Sequence, residues 1–291
     1  MMAKMRYFWI LLCGLLTVSL GLGSYQAFSQ SYGTGIDPTQ PPVTLIILDA
    51  SFSMADPIVG KGGESKMTVA KRTVLDVLKR VPNNTRLGLR VYGHHDSALL
   101  ANKRRMCSDS ELLVPIGANN QHVIASQLVG LKPLGATPIH YSLMQAIRSD
   151  LANLPPELRS APKEILLISD GIETCGSDPC TVAIEAQRMG IPVKINVVGF
   201  GVDNDEAAKR QLNCIAKATF GEFVSTTTEA RLADVLTRHM RAQTQVAGRI
   251  VLPTKTPNTA PLPSATKKTT PSNKKITPSQ QSKPYEQEYR L

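Results

Sequence analysis

The stretch Val43-Thr44-Leu45-Ile46-Ile47-Leu48-Asp49-Ala50-Ser51-Phe52-Ser53 joins an apolar run to a turn carrying one carboxylate and two hydroxyls. Val43 to Leu48 is apolar except for Thr44, the pattern of a strand buried on both faces of a parallel sheet. The D-x-S-x-S spacing then places Asp49, Ser51 and Ser53 on one tight turn that offers only oxygen ligands. Hard divalent cations want oxygen, and magnesium completes a near-octahedral shell with water or a visiting carboxylate. Alone the pattern is weak, because Asp and Ser also end strands and cap the helices that follow.

Working outward, Ile165 to Ile168 and Val193 to Phe200 repeat the buried-strand style, and Arg86 to Tyr92 reads as a more amphipathic strand. Helical spacing appears at Val69 to Val81, Ile139 to Leu154, Thr181 to Met189, Asp205 to Ala218 and Glu229 to Arg241. This alternation predicts an α/β fold with crossovers over a mainly parallel sheet, and a ligand site at the carboxyl ends of the strands. No internal repeat recurs at a fixed period. Two more oxygen donors fall at such ends: Thr137 in Gly135-Ala136-Thr137-Pro138, ahead of a helix, and Asp170 in Asp170-Gly171, after a strand. Each also has an ordinary reading, Thr before Pro as a helix N-cap and Asp-Gly as a turn pair.

Taken in order, D-x-S-x-S, then Thr137, then Asp170 resembles the metal-ion-dependent adhesion site of von Willebrand factor type A domains, over roughly residues 40–243. The resemblance implies a three-layer, Rossmann-like fold with helices on both faces of the sheet. It implies magnesium, with manganese as a substitute, held by the hydroxyls of Ser51, Ser53 and Thr137 and by the carboxylates of Asp49 and Asp170, directly or through water. A metal so held keeps Lewis acidity for an incoming Asp or Glu, which makes the site a receptor for a protein ligand presenting a carboxylate, without catalysis. In some relatives the terminal helix shifts on occupation; here that helix is Glu229 to Arg241. The flanking Arg90-Val91-Tyr92-Gly93 and Asp170-Gly171-Ile172-Glu173-Thr174-Cys175 look most like exported bacterial members. Phe52 is a departure, since many relatives carry Gly there.

The chain has 291 residues and a formal net charge of +10, and its mean hydropathy of -0.09 excludes a multi-span membrane protein. The charge sits at the ends. Residues 1–29 carry Lys4 and Arg6 with no acid, and residues 245–291 carry eight bases against Glu286 and Glu288, which leaves the body 23 bases against 21 acids. No basic groove for nucleic acid is expected in a body so nearly neutral. Residues 1–29 read as an export signal or an N-terminal anchor, and Ile10-Leu11-Leu12 ahead of Cys13 lacks the small residues of a lipidation site. Residues 30–39 read as a short linker, 40–243 as the domain, and 244–291 as a disordered, basic tail rich in Pro, Thr, Ser and Lys. Export places the protein in the periplasm, the envelope or the medium. The tail is a spacer or a contact for an anionic envelope polymer or membrane surface.

Four cysteines remain after Cys13, and an even number in an oxidising compartment favours disulfides. The turn-forming Gly176-Ser177-Asp178-Pro179 suggests Cys175 with Cys180, leaving Cys107 with Cys214; two other pairings and a four-cysteine zinc site are the alternatives. His94-His95 follows the second strand and invites a zinc reading, but adjacent histidines in a strand point to opposite sides, so the pair is read as an ordinary loop. Lys61 to Lys66 lacks the order of a phosphate loop, and Gly199-Phe200-Gly201 lacks the third glycine of a dinucleotide site. The competing functions are an envelope scaffold acting through the basic tail, or a magnesium-dependent hydrolase or phosphotransferase with Asp49 as nucleophile. That chemistry usually wants a second carboxylate two residues on, where Ser51 stands, and neither G-x-S-x-G nor H-E-x-x-H occurs.

Overall fold

The apolar runs become strands of one sheet. The computed structural model describes residues 35–58, 62–96 and 102–241. The leader at 1–29, the first half of the linker and the tail at 244–291 lie outside the described residues. Strands β1 (Val43–Asp49), β2 (Arg86–Tyr92), β3 (Ser110–Gly117), β4 (Lys163–Ser169), β5 (Val193–Phe200) and β6 (Phe223–Thr226) form a six-stranded sheet in the order β3-β2-β1-β4-β5-β6. All pairings are parallel except β2 with the edge strand β3. Every residue of β1 is buried, as its unbroken apolar run requires of a central strand.

Helices cover both faces. α1 (Lys66–Leu78), α3 (Gln121–Gly130) and α7 (Glu229–Arg241) pack on the side of Ile46, Leu48, Leu89 and Ile168. α4 (Ile139–Gln145), α5 (Pro179–Arg188) and α6 (Glu206–Ala218) pack on the side of Leu45, Ile47, Leu167 and Ile195. A short α2 (Lys103–Met106) precedes β3. The result is the expected three-layer α/β arrangement. Strand order reverses between β1 and β4, so the chain leaving β1 and the chain leaving β4 diverge and open a crevice at their carboxyl ends.

Helical spacing predicts one helix from Ile139 to Leu154, but α4 ends at Gln145 and is followed by a wider turn over Ala146–Asp150. That extra residue in the turn aims Asp150 inward at Arg90, whose Nε donates to Asp150 Oδ2 at 2.6 Å and whose Nη2 donates to Oδ1 at 2.8 Å. Both side chains are almost wholly buried, and Arg90 Nη1 also donates to Ser110 Oγ. A fully paired bidentate contact is what keeps two such charges tolerable inside a protein.

The cysteine pairing differs from the expectation. The disulfides are Cys107–Cys175 and Cys180–Cys214, with Cα separations of 5.5 and 5.7 Å. Asp178 caps α5 by accepting from Cys180 N at 3.0 Å, and Pro179 occupies the first turn. Cys180 is thereby committed to the helix and faces Cys214 on α6, while Cys175 stays on the preceding loop with its N–H on Glu173 Oε1. Helix capping, not closure of the Gly176 to Pro179 turn, decides the partners. All four cysteines are used, which removes the four-cysteine zinc alternative.

Candidate functional site

The turn after β1 is anchored from both flanks: Ala50 N donates to Tyr92 O at 2.8 Å and Phe52 N to Gly135 O at 2.9 Å. Within it, Ser51 N donates to Asp49 Oδ1 at 2.8 Å. Ser53 Oγ lies 3.1 Å from Ser51 Oγ and donates to Asp170 Oδ1 at 2.7 Å, so two hydroxyls and the second carboxylate meet across the crevice between β1 and β4. The other oxygen of Asp49 accepts from Tyr92 Oη at 2.8 Å and Ser169 Oγ at 2.7 Å.

Thr137 arrives from a third loop. Gly93 sits at φ +70°, and a Cβ there would lie 2.5 Å from Ala136 O and 2.9 Å from Ser51 N. Only glycine lets the end of β2 fit between the Ser51 turn and the Thr137 loop. Thr137 N donates to Thr174 Oγ1 and its carbonyl accepts from Thr174 N, tying it to the Asp170 loop. The ordinary alternative for Thr137, a helix cap, is not taken up: α4 begins after Pro138, and Glu173 Oε2 accepts from His140 N at 2.7 Å in the first turn. Four of the five expected residues are thus joined by hydrogen bonds, and Thr137 is held on the adjoining loop.

Burial pushes the Asp49 carboxyl up to about 6, and the Asp170 charge adds to this, against the opposing bonds from Ser51 and Ser169. Asp170 is met by Lys66 at the start of α1, whose Nζ donates to Oδ2 at 2.8 Å and lies 3.4 Å from Ser53 O. Two buried carboxylates, one of them paired with the Lys66 ammonium, and the hydroxyls beside them make an all-oxygen cluster, a donor set that fits a hard divalent cation. Motif reading misses Lys66, Tyr92 and Ser169, because only the tertiary fold brings them to the carboxylates. Phe52 is 55% exposed and Ile172 39% exposed, so the departure from glycine adds apolar surface to the rim. A cleft of about 570 Å³ lies at the other end of the strands, by the starts of β4 and β5, lined by Lys163, Glu164, Lys194 and Asn196.

His94 and His95 lie in a loop, but their rings do not point to opposite sides: the centroids are 4.0 Å apart and both approach Asp109. Alternation ends at Tyr92, where the positive φ of Gly93 turns the chain out of the strand.

No protein-family model matches the chain. It is 30% identical to the uncharacterized protein YwmD of Bacillus subtilis (strain 168) over 212 residues, covering 73% of this chain and 87% of that one. It is 32% identical to the uncharacterized protein YwmC of the same organism over 235 residues, covering 81% and 96%. Among solved structures, a von Willebrand factor type A protein from Catenulispora acidiphila superimposes with a TM-score of 0.51 at 20% identity, covering 69% of this chain and 42% of that one. The pilus adhesin SpaC from Lactobacillus rhamnosus GG gives 0.51 at 15% identity, covering 70% and 31%. The chain therefore spans less than half of each of these two structures. Such likeness carries the fold, and the sequence identity carries the kinship: the chain belongs to the family of the Bacillus subtilis proteins YwmD and YwmC, folded as a von Willebrand factor type A domain.

Proposed function

We propose that the protein is an exported binding module in which Asp49, Ser51, Ser53, Thr137 and Asp170 hold Mg2+, with Mn2+ as a substitute, to dock a protein partner through an Asp or Glu side chain. The observation that carries this reading is the contact of Ser53 with both Ser51 and Asp170, which draws donors from two loops into one cluster at the switch point of the sheet. When bound, the cation supplies Lewis acidity toward a partner carboxylate.

The chain's own residues prepare that contact. Tyr92 and Ser169 hold one oxygen of Asp49 and the Ser51 N–H holds the other, fixing the carboxylate before any ion arrives. Lys66 shields the charge of Asp170. Phe52 and Ile172 give a partner apolar surface beside the polar centre. The two disulfides suit an oxidising compartment, in line with the export reading of residues 1–29, and a pilus adhesin is among the proteins of like fold.

The test is calorimetric titration of the chelator-stripped protein with Mg2+, followed by retention of envelope proteins in Mg2+, in EDTA, and by Asp170→Ala in Mg2+. Wild type should bind one equivalent and retain a protein that EDTA releases, and Asp170→Ala should do neither. Absence of Mg2+ binding by wild type, or retention that is equal in all three conditions, would overturn the reading.

A further inference from the structure

We propose that His94, His95 and Asp109 form a second metal site, separate from the all-oxygen cluster, that takes a borderline divalent transition ion such as Zn2+. One ring nitrogen of His94, one of His95 and a carboxylate oxygen of Asp109 all lie within 4.8 Å of one another, and each Nδ1 approaches Asp109 Oδ1, at 3.8 and 2.6 Å. Their softness differs from that of the first cluster: two imidazole nitrogens with one carboxylate suit zinc, cobalt, nickel or copper over magnesium.

The state of His94 is the observation that points to a ligand. Its side chain is only 10% exposed, and its Nδ1 is buried without a hydrogen-bond partner among the described residues. Buried polar atoms are nearly always satisfied, so such an orphan needs a reason. On the far side of the ring, Nε2 lies 3.3 Å from Glu111 Oε2. In the tautomer with the ring proton on Nε2, facing that carboxylate, Nδ1 keeps its lone pair, 3.8 Å from Asp109 Oδ1. A carboxylate bonded to the outer nitrogen of a histidine is the usual support of a metal-bound imidazole.

The other two donors are already gathered. Asp109 is 2% exposed in its side chain, accepts His95 N–H on Oδ2 at 3.1 Å, and lies 2.6 Å from His95 Nδ1 through Oδ1. Tetrahedral zinc with ligands at about 2.0–2.1 Å sets donors about 3.3 Å apart. The His94 to Asp109 separation is half an ångström or so above that value. The His95 to Asp109 contact needs to open by less than 1 Å, and the 53% exposure of the His95 side chain leaves room for that shift. The same exposure leaves a fourth position open to water. Asp109 is kept in place by the Cys107–Cys175 disulfide two residues earlier and by its carbonyl, which accepts from Gly93 N at 3.2 Å.

The test uses the full chain without an affinity tag, stripped of metal, with Zn2+ measured by competition against a chromophoric chelator and Co2+ followed by its visible ligand-field bands. Wild type should bind one Zn2+ with tetrahedral-type Co2+ bands, and Asp170→Ala should leave this binding unchanged. Glu111→Gln should weaken it about 10- to 100-fold, the usual loss for an outer-sphere carboxylate. His94→Gln and His95→Asn should weaken it further, and far-UV circular dichroism should show both variants folded; His95, at the surface, tolerates exchange even if His94 does not. No Zn2+ binding by wild type, or binding that survives His95→Asn and Glu111→Gln, would overturn the proposal. Binding lost in Asp170→Ala but kept in the histidine variants would assign the ion to the first cluster and refute the second site.

Discussion

Asp49→Asn in metal-free protein tests the electrostatics on which the first cluster rests. The Asp49 carboxyl is fully buried and moves from an ordinary 3.8 up to about 6, chiefly by burial and then by the charge of Asp170. A shift of about two units corresponds to about 3 kcal/mol at ~1.4 kcal/mol per unit. The direction follows from proton counting: the folded chain keeps a proton that the unfolded chain has lost, so the stabilisation is complete below pH ~4 and is lost as pH rises through ~6. About 2 kcal/mol of this falls between pH 4.5 and 7.5, a Tm change of about 4–8 °C for a domain of this size.

Asparagine is nearly isosteric with aspartate and can be accommodated, since Tyr92 and Ser169 hydroxyls can turn to accept from its Nδ2 while Ser51 N still donates to its oxygen. The assay is urea unfolding in EDTA across that pH range, wild type against Asp49→Asn. The variant should gain on wild type steadily as pH rises, by about 2 kcal/mol in all. Saturating Mg2+ at pH 7.5 should stabilise the wild type and leave the variant unchanged. Parallel profiles would show that Asp49 is not held protonated by its surroundings, and the cluster would lose its electrostatic reason to recruit a cation.

Gly93→Ala places a Cβ against Ala136 O and Ser51 N at a positive φ, so Mg2+ binding should be lost with the five ligands intact; titration of the folded variant checks this. Phe52→Ala should leave stability within about 0.5 kcal/mol and Mg2+ affinity unchanged but reduce retention of a partner in Mg2+, because the ring is 55% exposed. Asp150→Ala strands the buried Arg90 guanidinium and should cost about 3–5 kcal/mol, read as a Tm fall on the order of 10 °C. A non-reducing digest that includes a protease cutting before Asp178, since no Lys or Arg separates Cys175 from Cys180, should yield peptides joined as Cys107–Cys175 and Cys180–Cys214.

How much of this was legible in the chain depends on whether a feature is local. β1, β4 and β5 announce themselves because strands buried on both faces need continuous apolar runs. The edge strand β3 does not: it carries Pro115, slips register near Leu89, and buries little beyond Val114 and Ile116. The five oxygen donors are readable because each lies in a short motif at the end of a strand or ahead of a helix, and the reversal of strand order then brings the first and last together. Lys66 is beyond such reading. It reaches Asp170 across 104 positions, and nothing around it marks a lysine at the start of a helix as the counter-charge of a buried carboxylate.

The misread cysteine pairing and the misjudged side-chain directions of the two loop histidines share one cause. The Cys175 to Cys180 pairing follows turn logic, and the opposed histidines follow strand logic; each rule is sound for the residues before it and fails one residue later. Pro179 starts a helix that Asp178 caps, so the chain around Cys180 obeys helical geometry and delivers the thiol to α6. Gly93 adopts φ +70° where the Ser51 and Ala136 backbones leave no room for a Cβ, so only glycine fits, and with that rotation period two ends. His94 then keeps its ring inside and His95 swings over the same carboxylate. The residue that seats the first cluster therefore also creates the second. Substitution at Gly93 should disturb both, whereas Asp170→Ala and His95→Asn should each disturb only one, a pattern that separates a shared backbone support from direct coupling between two metals.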